Sequence, residues 1–170
     1  MKHKDILIAL YDNKEDIESA VKRLLDGGVE KKDISVIVKG HEDKIEAIEV
    51  EKEESDILSW TTQGAIWGGL IGALLGGAFF IIPGFGPIVG AGPLTAGIAG
   101  MLGGAMTGGA ILGLADALIE WGMGEVEAKR LEKLVKDNKL LLMVHGDSQE
   151  VDKAHEILQE LGRGDIELHR

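Results

Sequence analysis

Cysteine is absent from the 170 residues, which excludes disulfides, thiolate metal sites and cysteine nucleophiles. Positive charge is in short supply: 18 Lys and Arg face 29 Asp and Glu, for a formal charge of -11. A nucleic-acid partner, which needs a basic footprint, is excluded with it. The Gly-Lys-Ser/Thr element of a phosphate-binding loop occurs nowhere, and Gly84-Phe85-Gly86 lacks the strand–loop–helix context of a nucleotide fingerprint. The histidines, at positions 3, 41, 145, 155 and 169, show neither i,i+4 nor His-Glu-x-x-His spacing. Carboxylates abound, but in solvated runs such as residues 51–56, where nothing would raise a pKa for acid–base work. No secretory leader is expected, because Met1 to Asp5 is charged and the next apolar run is only strand-length. These absences predict a protein without catalytic residues, cofactor or metal, and so not an enzyme.

The charge that exists is segregated, and no ionisable side chain occurs from residue 57 through residue 115. Within that stretch, residues 64–79 read as four tetrads of two small residues followed by two mostly large ones. On a helix, residues four apart share a face. Gly64, Gly68, Gly72 and Gly76 would then form one smooth ladder, and Ala65, Gly69, Ala73 and Gly77 a second. Glycine costs a soluble helix about 1 kcal/mol per position, so this density asks for a compensating reason. Close helix packing in lipid supplies one. The pattern predicts a first helix over residues 61–82 and a second from residue 94 to about 121, each offering enough apolar residues to cross a hydrocarbon core of ~30 Å. Pro83, Gly84, Gly86, Pro87 and Pro93 punctuate the turn between them. Trp60 and Trp121 mark the open ends, where an interfacial aromatic belt is expected, and Lys52, Lys129 and Arg130 place both termini in the cytoplasm.

Pairing Trp60 with Trp121 sets small residues opposite small ones: Gly68 meets Gly113, Gly72 meets Gly109, and Gly76 meets Ala105. A further ladder, Ala96, Gly100, Gly104 and Gly108, is left for contacts between subunits. The expected partners are therefore copies of the chain and a lipid bilayer or bound lipid. Asp116 is the awkward residue, about one turn inside Trp121; Gln63 or Thr62 could pair with it, or it reaches interfacial water. A competing arrangement is a soluble particle or scaffold, cytoplasmic, whose hairpins enclose an apolar interior able to hold lipid or quinone.

The flanks read as a split α/β domain. Residues 1–56 carry a strand at residues 6–10, a helix opened by Asn13 and stopped by Gly27-Gly28, a strand at residues 34–38 and an acidic linker, hairpin strand or frayed helix. Residues 57–122 are the apolar hairpin. Residues 123–170 begin with an amphipathic helix over residues 125–138, with Val126, Leu131, Leu134 and Val135 on one side. They continue with a strand at residues 140–144, a helix from Ser148 to Gly162 and a strand at residues 166–168. Ile17 overlays Val151, Ala20 Ala154, Leu24 Leu158 and Gly28 Gly162. Two such βαβ halves make an α+β fold, a ferredoxin-like sandwich interrupted by the hairpin. If Ile6, Ile8, Leu10, Val36 and Leu142 face the two helices, the opposite face shows Leu7, Ala9, Ile37, Leu141 and Met143. That face is too apolar for water, so it calls for sheet-to-sheet dimerisation or cover by the helix at residues 125–138. His145 and His169 are candidates to share a face with Tyr11, as a weak metal or proton site.

Pro83-Gly84-Phe85-Gly86-Pro87 followed by Ala91-Gly92-Pro93-Leu94, together with the order of elements, resembles the prokaryotic family of general stress or low-temperature-induced membrane proteins. The resemblance covers essentially the whole chain. It implies stress induction rather than a chemistry, and carries over no catalytic residue.

Overall fold

Asn13 and Asp147 fix where two of the helices begin. The Asn13 side chain accepts a hydrogen bond from the Asp16 amide at 2.9 Å, opening α1 (Lys14–Asp26). Asp147 accepts from the Gln149 and Glu150 amides, both at 3.0 Å, while Glu150 reaches back to the Asp147 amide at 3.1 Å. This reciprocal cap opens α4 (Ser148–Leu161). The glycines that the overlay pairs, Gly28 and Gly162, both take left-handed backbone after their helices, with φ of 85° and 65°.

The computed structural model describes residues 5–39, 77–82, 86–94, 97 and 113–169. Its remaining elements are β1 (Asp5–Tyr11), a 3-10 turn (Lys31–Asp33), β2 (Ile34–Lys39), β3 (Gly77–Ile82), β4 (Gly86–Ala91), α2 (Leu114–Glu120), α3 (Glu125–Lys136), β5 (Leu140–Gly146) and β6 (Asp165–His169). The result is a mixed α+β fold. One six-stranded sheet runs in the order β3-β4-β2-β5-β1-β6, and every neighbouring pair is antiparallel. Four consecutive strands of it, β2-β5-β1-β6, have the order that two interlocked βαβ halves produce.

Each face of the sheet carries its own core. Leu7, Ala9 and Tyr11 of β1, with Val36, Leu142 and Val144, pack against Ile17, Ala20 and Leu24 of α1 and Val151, Ala154 and Leu158 of α4. Ile6, Ile8 and Leu10, with Ile37, Leu141 and Met143, pack against Leu114 and Leu118 of α2 and Ala128, Leu131 and Val135 of α3. The second face is thus covered by α3 together with α2. Leu7 and Ala9 do not belong to that face as expected; β1 is turned the other way. The register explains this, since Ala9 lies opposite Leu142 and Ile8 opposite Met143, and directly paired residues share a face. Val126, expected on the buried side of α3, is 85% exposed, and Ala128 takes its place inside.

The expected hairpin of two long helices differs more. Residues 77–82 are strand, so Gly77 sits in β3 and not on a helical ladder, and Gly86 and Pro87 belong to β4 rather than to a turn. Pro87 lies one residue beyond the last β2–β4 pair, Lys39 with Ile88, where β2 no longer requires a donor from it. The helix expected to run from residue 94 to 121 is interrupted at Gly113, whose extended backbone caps α2. Leu94 and Leu114 are both fully buried in one core cluster. Lys39 and Gly77 are likewise both held on β4, opposite Ile88 and Ala91. Gly92 makes the exit from β4 possible: its φ is 94°, and a Cβ there would collide with the Ile34 carbonyl oxygen. Ser35 secures the next turn by accepting the Leu94 amide at 3.1 Å. Among the described residues, no helix is long and apolar enough to cross a membrane.

Candidate functional site

Polar side chains gather where β1 starts and β5 and β6 end. Ile6 is opposite His145 on one side and His169 on the other, so the two histidines flank it in one row on the α2/α3 face. Tyr11 is not with them; it is buried on the opposite face. Asp5, Asp33 and His145 are all buried at this end of the sheet. Burial first, then the neighbouring Glu150 carboxylate, push the Asp33 carboxyl above the usual range, partly offset by His145 and Lys32.

Trp121 closes α2 and lies edge-on to His145, with ring centres 5.0 Å apart and planes at 86°. Ile6, Glu120, Trp121 and His145 line a cavity of about 270 Å³. That volume is below the usual range for drug-sized ligands. Trp121, expected in an interfacial belt, is therefore part of the domain, half-buried against His145. Gly113 lies beside Glu132 of α3, whose Oε2 accepts the Ala115 amide at 2.8 Å. A Cβ at Gly113 would come within 2.8 Å of that same oxygen. Asp116 is exposed and accepts the Gly113 amide at 3.1 Å. The awkward carboxylate thus has a local role, satisfying an orphan donor at the start of a short helix.

A second cluster joins α3 to the edge strand β6. Arg130 donates to Glu127 Oε1 at 2.9 Å and to both oxygens of Glu167, at 2.8 and 2.7 Å. The fork holds Glu167 below the usual carboxylate range, and the two carboxylates raise the guanidinium further. His169 Nε2 stands 3.7 Å from Glu167 Oε2. Sequence reading passed over this group, although Glu167-Leu168-His169 carries a usable signal: residues two apart on a strand share a face.

The other expected positions fall as follows. Pro93 opens a short helical turn with Leu94. Ile37, Leu141 and Met143 lie in the α2/α3 core. Trp60, Gly64, Ala65, Gly68, Gly69, Gly72, Ala73, Gly76, Pro83, Gly84, Gly100, Gly104, Gly108 and Gly109 lie outside the described residues.

No curated protein and no solved structure matches the chain. The family model of the heat-induced stress protein YflT domain matches residues 6–79, from β1 through the first half of β3. Over its first strand–helix–strand unit the chain is therefore similar to a family of stress-induced proteins.

Proposed function

We propose that this is a non-enzymatic, stress-related protein that acts by self-assembly. A ferredoxin-like domain would carry the glycine-rich segments, which would pack against those of other copies. The observation that bears most on this reading is the placing of the insert's ends. Leu94 and Leu114 share one core, and Lys39 and Gly77 are paired to one strand. A single helical crossing of a ~30 Å bilayer puts its two ends on opposite sides, so this anchoring favours assembly in water over insertion as two spans. The similarity to a stress-induced family supports the stress-related role. The polar groups described above also have structural partners: Ser35 holds the Leu94 amide, and Glu132 holds that of Ala115.

Membrane association is the second reading, favoured by the uncharged run over residues 57–115. Carbonate extraction separates the two: an assembled particle stays in the supernatant, while an integral protein sediments with the membrane. Size measurement in detergent-free buffer then tests assembly directly. Gly72→Leu is expected to reduce the particle to smaller species, because a branched side chain cannot enter a contact between touching backbones. Wild-type size in that variant would remove the ladder as the interface.

A further inference from the structure

We propose that Glu127, Glu167 and His169 form a binding site for a divalent transition-metal ion of the Zn²⁺ class, with Arg130 competing for the same carboxylates. The site is independent of the self-assembly reading and draws on different residues. Glu167 and His169 project from one face of β6, and Glu127 comes from the first turn of α3 above them. One ligating atom from each lies within 4.8 Å of the others, near enough that small side-chain shifts would bring all three onto one ion. His169 Nε2 is enclosed, meets no partner within hydrogen-bonding distance among the described residues and stands 3.7 Å from Glu167 Oε2, so as the neutral Nδ1–H imidazole it would turn a lone pair toward an ion beside that carboxylate. All three side chains remain partly exposed, so the outer face of an ion would be completed by water.

The donor set decides the ion class. One imidazole and two carboxylates suit Zn²⁺, whereas Mg²⁺ and Ca²⁺ require oxygen donors throughout. Three protein ligands with an open position is the coordination of an open zinc site. Arg130 marks the place from the other side: its single positive charge bridges Glu127 and Glu167, where an ion would sit. Ion and guanidinium cannot both hold these oxygens, so binding would release Arg130 and change how α3 is fastened to the edge strand.

This competition gives the test an unusual sign. Zn²⁺ is titrated calorimetrically into the full chain and its variants. Wild type is expected to bind one ion per chain, and His169→Ala and Glu167→Gln to lose it. Arg130→Gln is expected to bind about tenfold more tightly or better, because the charged hydrogen bonds that oppose the ion are gone. His155→Ala, on the exposed side of α4, should bind as wild type does. A gain of affinity cannot come from a variant that fails to fold, so Arg130→Gln keeps the test decisive. Retained binding in His169→Ala, unchanged or weaker binding in Arg130→Gln, or no binding in either wild type or Arg130→Gln would overturn the site.

Discussion

Asp33 shows how much a single carboxyl can be governed by where the chain leaves it. It ends the 3-10 turn at the buried end of the sheet, close enough to Glu150 and His145 to feel both. Its folded pKa is raised, chiefly by burial. An Asp in the unfolded chain titrates near ~3.9, so this group's contribution is fully present below that pH and is lost as pH rises through the folded value. Asp33→Asn is therefore expected to be more stable than wild type at pH 7, with the advantage vanishing below about pH 4. Urea denaturation at the two pH values reads this, and a variant less stable at pH 7 would contradict the burial argument. The burial of Asp33 was not legible in the sequence, where it stands in a charged stretch, Glu30-Lys31-Lys32-Asp33, that reads as surface. The orientation of Leu7 and Ala9 was equally hidden. Every β1 residue from Ile6 to Leu10 is apolar, so alternation cannot tell which face is which. Only pairing with Leu142 and Met143 decides it.

At the scale of elements, periodicity and caps were readable wherever the chain is amphipathic. α1, α3 and α4 fall where apolar spacing places them, and Asn13 opens α1 as its type suggests. Asp147→Ala should remove the oxygen that accepts two amides at the start of α4 and cost about 1 kcal/mol, read as a lower unfolding midpoint. An unchanged midpoint would mean that water replaces the cap without loss. The end of the last glycine tetrad misled, because its rhythm runs on through Phe79 while Gly77, Ala78 and Phe79 lie in β3. Phe79-Phe80-Ile81-Ile82, bounded by Pro83-Gly84, are aromatic and β-branched residues that suit a strand. A short apolar run of this kind fits helix and strand alike, and tertiary pairing with β4 settles it. Asp116 held the clue to the break at Gly113, because a carboxylate at the third helical position can reach back to a helix start.

Across the whole molecule, the two cores divide the work. One unites the repeated βαβ halves through α1 and α4, and the other binds α2, α3 and the Leu94 turn to the back of the same sheet. Leu94 has no exposed surface. Leu94→Ala should cost about 2–5 kcal/mol in denaturant unfolding, while Ile119→Ala, 37% exposed, should shift stability by about 0.5 kcal/mol or less. Equal effects would show that the turn after β4 adds nothing to the core. The split domain itself was legible, because the two halves repeat the same spacing of buried positions. The return of the uncharged region to the sheet was not, since nothing in a run of small apolar residues records which strand it will pair with. Lys39 and Gly77 being paired to one strand, opposite Ile88 and Ala91 of β4, makes the chain between them a closed loop in the topological sense. Closing such a loop costs only about 0.6 kcal/mol more for each doubling of its length. Spacer residues spliced into it should thus leave the unfolding midpoint of the sheet domain nearly unchanged, so that any effect on particle size would report on assembly alone.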